Sequence, residues 1–484
     1  MQSLNVTKVK KKLLKKYNSK SIVYLRENFT NMLIRFVINN ILSFGKQKEF
    51  TMLPNKRFKT LQEHIYSSTS LEVLKLAALY GANGAGKSNL IHGLEMLRFL
   101  VTQESIPVKL KKSPFKFQEN KENAPQLLAI EFQHEDIVFY YGIEILNGII
   151  LTEELYESGL GIKNDTLIFE RKTDKNQNTS VQFSKEFEGD DKNAYLKEIL
   201  IEEFIKPNKP ILKLIANRDN KDLKIAKKAY AWFEEILTIV TPEGKPSALP
   251  HHIDIDAAFK DYADDTMRSF NVGVTGLSVQ KEKIEDFFAN RNEEELAKIV
   301  EKIEESPKKM FGLRGKNGEI ILVKEDDEIF VKSLQLQHTG GGITATFDMD
   351  EESDGTVRLL DFIPAFRDLV FKKKVYVIDE IERSIHPLLI KKLLKKFSED
   401  TATKGQLIFT THESNLLDQE MFRQDEIWFI EKDKTGSTDL YSLSSFKEHK
   451  TIDIQKGYLN GRYGAIPFLG NLQDLNWHDY ATQE

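Results

Sequence analysis

The sequence predicts an α/β fold, and three patterns carry that expectation. A short apolar strand, Leu74 to Tyr80, runs into a glycine-rich turn and then into a helix with Leu90, Leu94, Leu97 and Val101 on one face. Residues 127–169 alternate apolar and polar, with Asn147-Gly148 as a hairpin turn, which reads as an antiparallel lobe. Strand patterning returns at Glu319 to Leu336, and strands then alternate with helices towards the C-terminus. The 484 residues are 40% hydrophobic with 31 Phe and 15 Tyr, enough for a sizeable core and too apolar for a disordered chain.

The chain has no cysteine, which excludes disulfides, thiolate metal sites and cysteine nucleophiles and fits a reducing cytoplasm. Its longest apolar runs are strand-length, far below the roughly 20 residues of a bilayer span, so no membrane partner is expected. Residues 1–31 hold eight Lys/Arg and one acid, a charge of +7, which leaves −12 of the total −5 on the rest. This leader has three readings: a DNA- or membrane-touching arm, a targeting peptide, or sequence upstream of a start at Met32. A solvated, disordered leader is the expectation. The acidic body weighs against a protein coated in nucleic acid.

The elements follow in order. Met32 to Phe50 reads as strand, turn at Ser43-Phe44-Gly45, and strand; the P-loop unit and antiparallel lobe complete a segment 32–189. Residues 190–310 turn Lys/Glu-rich with helical spacing, as at Ile225, Ala229, Trp232, Phe233 and Ile236, and read as a helical insertion. At about 1.5 Å per residue its arms are too short for a long coiled coil. Residues 311–484 form a C-terminal lobe.

Gly81-Ala82-Asn83-Gly84-Ala85-Gly86-Lys87-Ser88 fits GxxxxGK[ST] in the required context, after a strand and opening a helix. Glycines let backbone N–H groups turn towards phosphates, the helix N-terminus adds partial positive charge, Lys87 reaches the β/γ-phosphates and Ser88 ligates Mg²⁺. Gly81, Asn83, Gly84, Gly86 and Asn89 complete the ATP-binding set. A second apolar strand, Val375 to Ile378, ends in Asp379-Glu380, where Asp379 would hold the Mg²⁺ shell and Glu380 polarise the attacking water. A third, Gln406 to Thr411, ends at His412, a γ-phosphate sensor if the strand ends converge. Ser353 and Gly355 open a further helix and read either as a second anion-binding end or as a simple N-cap. His251-His252 with Asp254 and Asp256 reads as a polar loop rather than a metal site. The three Trp are packing residues, and Phe44 and Phe58 are core residues or borders of the adenine.

The ordered P-loop, serine–glycine signature, Asp-Glu strand end and switch histidine resemble the ABC-type ATPase heads of the SMC, RecF and OLD-nuclease class. More narrowly, Met32 to Phe50, Ser353-Asp354-Gly355-Thr356, Asp379 to Pro387, Asp425 to Phe429 and Gly461 to Pro467 are similar to the AbiLi/RloA-like AAA-type ATPases of bacterial phage-defence loci. The resemblance implies a mixed sheet flanked by helices plus an antiparallel lobe. It also implies a homodimer or higher homo-oligomer with two ATPs sandwiched between protomers, Ser353 and Gly355 touching the γ-phosphate of the other copy and Ser384 and His386 crossing the interface. Glu352-Ser353-Asp354-Gly355-Thr356 stands where transporters have LSGGQ, which puts an acid near phosphate and implies slow turnover. Gln133 is one candidate for the Q-loop.

Three functions fit: a dimeric ATP-hydrolysing switch in phage defence controlling an effector from a neighbouring gene, a DNA-maintenance ATPase that closes on DNA in the manner of RecF, and a non-hydrolysing scaffold. No acid cluster after His412 suggests a nuclease metal site, which favours the first.

Overall fold

A computed structural model describes residues 31–68, 71–117, 123–242, 248–289, 293–306, 309–315, 318–446, 448–449 and 452–466. The leader up to residue 30, Pro467 of the C-terminal motif and Trp477 lie outside the described residues. The chain divides into two compact units, Met1–Leu237 with Ile408–Glu484, and Thr238–Leu407. The α/β class is observed: mixed and antiparallel sheets with flanking helices.

The first unit holds a seven-stranded antiparallel sheet. Asn31–Asn39 lies between Lys48–Thr51 and Gln126–His134, and the meander continues through Ile137–Leu146, Ile149–Glu157, Thr166–Thr173 and Thr179–Phe183. Asn147 (φ 51°) and Gly148 (φ 79°) make the tight turn that joins Leu146 to Ile149. Beside this lobe, the wholly buried strand Leu76–Gly81 runs parallel to Ile427–Lys432, which pairs antiparallel with Thr438–Ser442; Gln406–Thr411 flanks Leu76–Gly81 on its other side.

The segment 190–310 departs from an all-helical insertion in two ways. Its first part stays with the first unit, because helix Lys224–Ala231 and the π-turn Trp232–Ile236 deliver Trp232 onto Phe132 of the antiparallel sheet, rings stacked at 4.3 Å. Its later part belongs to the second unit and includes the ten-residue strand Val274–Lys283. That strand pairs with Glu328–Gly340, which is followed in the sheet by Gly318–Glu325 and Met310–Gly315, while Ile343–Asp348 closes a hairpin on Glu328–Gly340. Helix Glu293–Glu305 covers this sheet with Leu296, Ile299, Val300 and Ile303 against Leu322 and Val331. Its apolar face, spaced at three and four residues, is the cover of this sheet. The second unit also carries helix Asp354–Phe371, the strand Val375–Ile378 beside Leu237–Val240, and helix Pro387–Glu399. No helix among the described residues is long and apolar enough to cross a membrane.

A buried ionic pin fastens the first helices of the insertion to the antiparallel lobe. Glu153 and Arg171, both with side chains 0% exposed, face each other at 3.5 Å. Glu153 accepts from the backbone N–H of Ile211 and Leu212 and from the Tyr141 hydroxyl, and Arg171 donates to the carbonyls of Lys209 (2.7 Å) and Lys206 (2.8 Å). Truncating one partner leaves the other charged and dry, a loss of about 3–5 kcal/mol. Arg171→Met is therefore expected to lower the urea midpoint by that equivalent. A loss under about 1 kcal/mol, the range of an exposed pair, would show that the pin does not hold the segment.

Candidate functional site

The phosphate loop is built by backbone geometry before any side chain acts. Gly84 (φ 76°) and Gly86 (φ 117°) sit in the left-handed region, and Gly86 caps helix Lys87–Gln103. A Cβ on Gly86 would lie 2.3 Å from Thr438 Oγ1 and 2.8 Å from Ser43 Oγ, so space and conformation both demand glycine. Thr438 Oγ1 donates to Ala85 O (2.8 Å) and lies 2.7 Å from Ser43 Oγ, whose own proton serves that contact, and Asn89 Nδ2 donates to Ser43 Oγ (2.8 Å). The loop is thus laced from outside by the turn after the first strand and by the edge strand Thr438–Ser442.

Lys87 is buried, and its ammonium donates to Gly81 O (2.8 Å) and Ala82 O (3.2 Å), neutral carbonyls of its own loop. His412, exposed at the end of Gln406–Thr411, brings Nδ1 to 3.3 Å from Lys87 Nζ. The ammonium can only donate, so this contact fixes the tautomer with the proton on Nε2, a donor suited to a phosphate oxygen. Ser88 is half-buried at the helix start, and Asn83 and Gly84 are exposed on the loop. A glycine cradle, a lysine that donates to carbonyls of its own loop and a hydroxyl at the helix N-terminus fit a nucleoside triphosphate with Mg²⁺.

Next to Ser43 and Asn89 opens a cavity of about 300 Å³, lined further by Lys112, Phe115, Phe117 and Lys432. Phe115 and Phe117 meet edge to face at 5.8 Å, and burial holds the Lys432 ammonium below the ordinary lysine value. Phe44 is wholly buried in the core and Phe58 lines a different cavity, so neither borders this one. Gln133 pairs across from Met32, at the end of the strand Asn31–Asn39 remote from Ser43, and its amide donates to Glu135 O, which does not bring it to the phosphate loop.

The second unit carries the other predicted residues. Ser353 is the N-cap of Asp354–Phe371, its Oγ accepting from Thr356 N at 3.2 Å, so the cap reading describes its bond within the chain. A Cβ on Gly355 would stand 2.7 Å from Ser384 O, which packs the helix start against the turn after Glu380. Glu352 is held by His338 Nε2 at 2.6 Å, leaving the exposed Asp354 as the acid of the helix start. Asp379 is buried at the end of Val375–Ile378, and its N–H donates to Val240 O (2.9 Å). Glu380 (φ 52°) and Ser384 (φ 61°) are non-glycine residues in the left-handed region, a strain that costs of order 1–3 kcal/mol each and that folds keep at functional turns. Ser353, Ser384 and His386 are exposed, and His386 Nδ1 caps helix Pro387–Glu399.

The His251–Asp256 stretch is structural. Asp254 pairs with the buried Lys332 (2.6 Å), Asp256 caps helix Ala257–Phe270 and reaches Arg367, and among the described residues no group of three or more His, Asp or Glu could hold a metal ion. Sequence reading missed Ser43 as a loop brace, Thr438, Lys432 and the Lys112–Phe117 wall. Thr438 lies some 350 residues from the loop and belongs to no motif, so nothing local signals it.

Gly86→Ala is expected to abolish nucleotide binding in equilibrium dialysis and to cost about 1–3 kcal/mol in urea unfolding through the left-handed strain alone. Unchanged binding would mean that the cradle does not hold the phosphates.

Among solved structures, the chain is similar to an SMC head bound to the C-terminal winged-helix domain of ScpA (14% identity, 85% of this chain and 97% of that one, TM-score 0.39). It is also similar to the SMC head domain from Thermotoga maritima (12%, 85% and 98%, TM-score 0.38) and to the Pyrococcus furiosus SMC head domain with an extended coiled coil (13%, 89% and 99%, TM-score 0.36). No curated protein matches. A family model matches residues 76–418, more than half of the chain and the span from the P-loop strand past His412. The chain therefore belongs to the family described as "AAA domain, putative AbiEii toxin, Type IV TA system".

Proposed function

We propose that this chain is a Mg²⁺-dependent ATP-binding and ATP-hydrolysing switch that works as a dimer, of the AbiLi/RloA-like kind, sensing infection and controlling a partner effector in phage defence. The observation that carries the reading is the phosphate loop itself: a buried Lys87 resting on its own loop carbonyls, in a cradle whose Gly81 and Gly86 have no room for a side chain. Bound ATP and Mg²⁺ would supply the anhydride bond and the charge that makes its hydrolysis responsive to the protein. Lys87 would exchange Gly81 O and Ala82 O for phosphate oxygens, Ser88 would hold the metal with Asp379 as the second proposed ligand, and His412 would donate from Nε2. Glu380 takes the proton of the attacking water. The cavity of Lys112, Phe115, Phe117 and Lys432 is of a size to take the nucleoside.

Composite sites are the second half of the reading. Ser353, Ser384 and His386 are exposed, and their groups serve the ATP held by another copy. The exposed Leu388 beside them adds an apolar contact for that copy. The family description supports a place in toxin–antitoxin or abortive-infection chemistry; the role as regulator rather than effector is ours.

ATP turnover and light-scattering mass test it together. Lys87→Ala is expected to reduce turnover by at least about 100-fold, as for loss of one transition-state donor, and Glu380→Gln by about 10²–10⁴-fold. The Glu380→Gln protein should also accumulate as a larger species with ATP, since closure without hydrolysis traps the sandwich. Turnover that survives Glu380→Gln, or a mass that ignores ATP in every variant, would sink the switch.

A further inference from the structure

A second cavity of the first unit lies apart from the one beside the phosphate loop. It measures about 620 Å³ and is walled by Arg35, Lys56, Phe58, Lys59, Glu72 and Arg423, a volume in the range of small-ligand pockets. By strand register it lies at the other end of the sheet from the phosphate loop. Ile427 pairs with Ala78 and Ile430 with Gly81, and the cavity is fastened to Arg423 and Asp425, just before Ile427.

We propose that this cavity is a second binding site, distinct from the P-loop, for a nucleoside phosphate, either free or as part of a single strand. Three features of the wall argue for that chemistry. Lys56, Arg57 and Lys59 put three cations within four residues of an otherwise acidic body, and among the described residues none of them has an ion-pair partner. Lys56 and Lys59 line the cavity, and Glu72 is the one carboxylate that does so. Phe58 stands between them, half-buried, with Leu53, Leu71 and Ile162 extending the apolar wall, so a flat ring and an anion can be held side by side. A basic patch interleaved with an aromatic ring supplies the charge and the stacking face that nucleoside phosphates can use.

The segment is also held ready. Asn55 N donates to Asp425 Oδ2 (2.6 Å) and Arg423 Nη1 donates to Thr60 O (2.6 Å), while Arg423 and Asp425 join by two bonds of 2.9 Å, both buried. One buried pair thus fixes both ends of residues 55–60, which lowers the ordering cost of binding.

The test uses the full chain carrying Lys87→Ala, so that capture at the phosphate loop does not contribute. Anisotropy of fluorescein-labelled hexathymidylate is followed without Mg²⁺. Binding is expected, weakened about tenfold or more by Lys56→Glu with Lys59→Glu and about fivefold or more by Phe58→Ala. Competition by thymidine 5′-monophosphate assigns a free nucleotide; hexathymidylate binding without that competition assigns a single strand. In the chain with Lys87 intact, the same substitutions should leave ATP turnover within about twofold, which shows that the variants fold and separates this site from the P-loop reading. The proposal is overturned if neither probe binds, if the variants bind hexathymidylate as the parent does, or if hexaglutamate competes equally well, since that last result marks a site for acidic protein.

Discussion

Gly86 cannot carry a side chain, and much of the first unit is arranged around that fact. At its φ of 117° a Cβ would stand 2.3 Å from Thr438 Oγ1 and 2.8 Å from Ser43 Oγ, so both hydroxyls pack against the bare Cα. Thr438 and Ser43 come from opposite ends of the sequence, so the constraint is met only when the C-terminal strands return to the N-terminal lobe. This is a physical reason for the division in which residues after 408 fold with residues before 238. Lys87 and His412 meet across the same return.

Around this loop, buried polar groups act as fasteners. The Glu153–Arg171 pin ties the insertion's first helices to the antiparallel lobe, and a second network joins His64 to Glu426 at 3.0 Å and Arg423 to Asp425. Asp425 and Glu426 belong to a stretch that resembles a family motif, and their bonds here are internal ones. The same holds for Gly464, where a Cβ would meet Glu431 Oε2 at 2.4 Å, and for Tyr463, stacked on Phe429 at 5.6 Å.

The phosphate loop was legible because its requirement is local: glycine conformations, a helix start and a lysine within eight residues. The same was true of the hairpin at Asn147-Gly148 and of Trp232, whose helical spacing already marked it for burial. Signals failed where contacts are distant in sequence. Thr438 has no neighbour in the chain that betrays its role, and Val274–Lys283 has its strand partner some 60 residues on, past an amphipathic helix whose pattern dominated the stretch. Phe44 is the core residue that one of its two readings expected, whereas Phe58 walls a different cavity, and only packing separates such cases. His251, His252 and Asp254 lie on helix Leu249–Ile255 rather than in the expected polar loop, and Lys332 and Arg367 supply the partners of Asp254 and Asp256 that the spacing could not name.

The proposal that a second copy completes each ATP site can be tested by mixing two inactive proteins. Lys87→Ala destroys a site through its own phosphate loop, and Ser353→Arg destroys the site of the other copy. A heterodimer of the two variants keeps one site with an intact loop and an intact signature. After subunit exchange, an equimolar mixture of these inactive chains should recover roughly a quarter of wild-type ATP turnover, as random pairing in a two-fold dimer requires. A mixture that stays as inactive as its components, with subunit exchange verified by mass, would contradict the composite site.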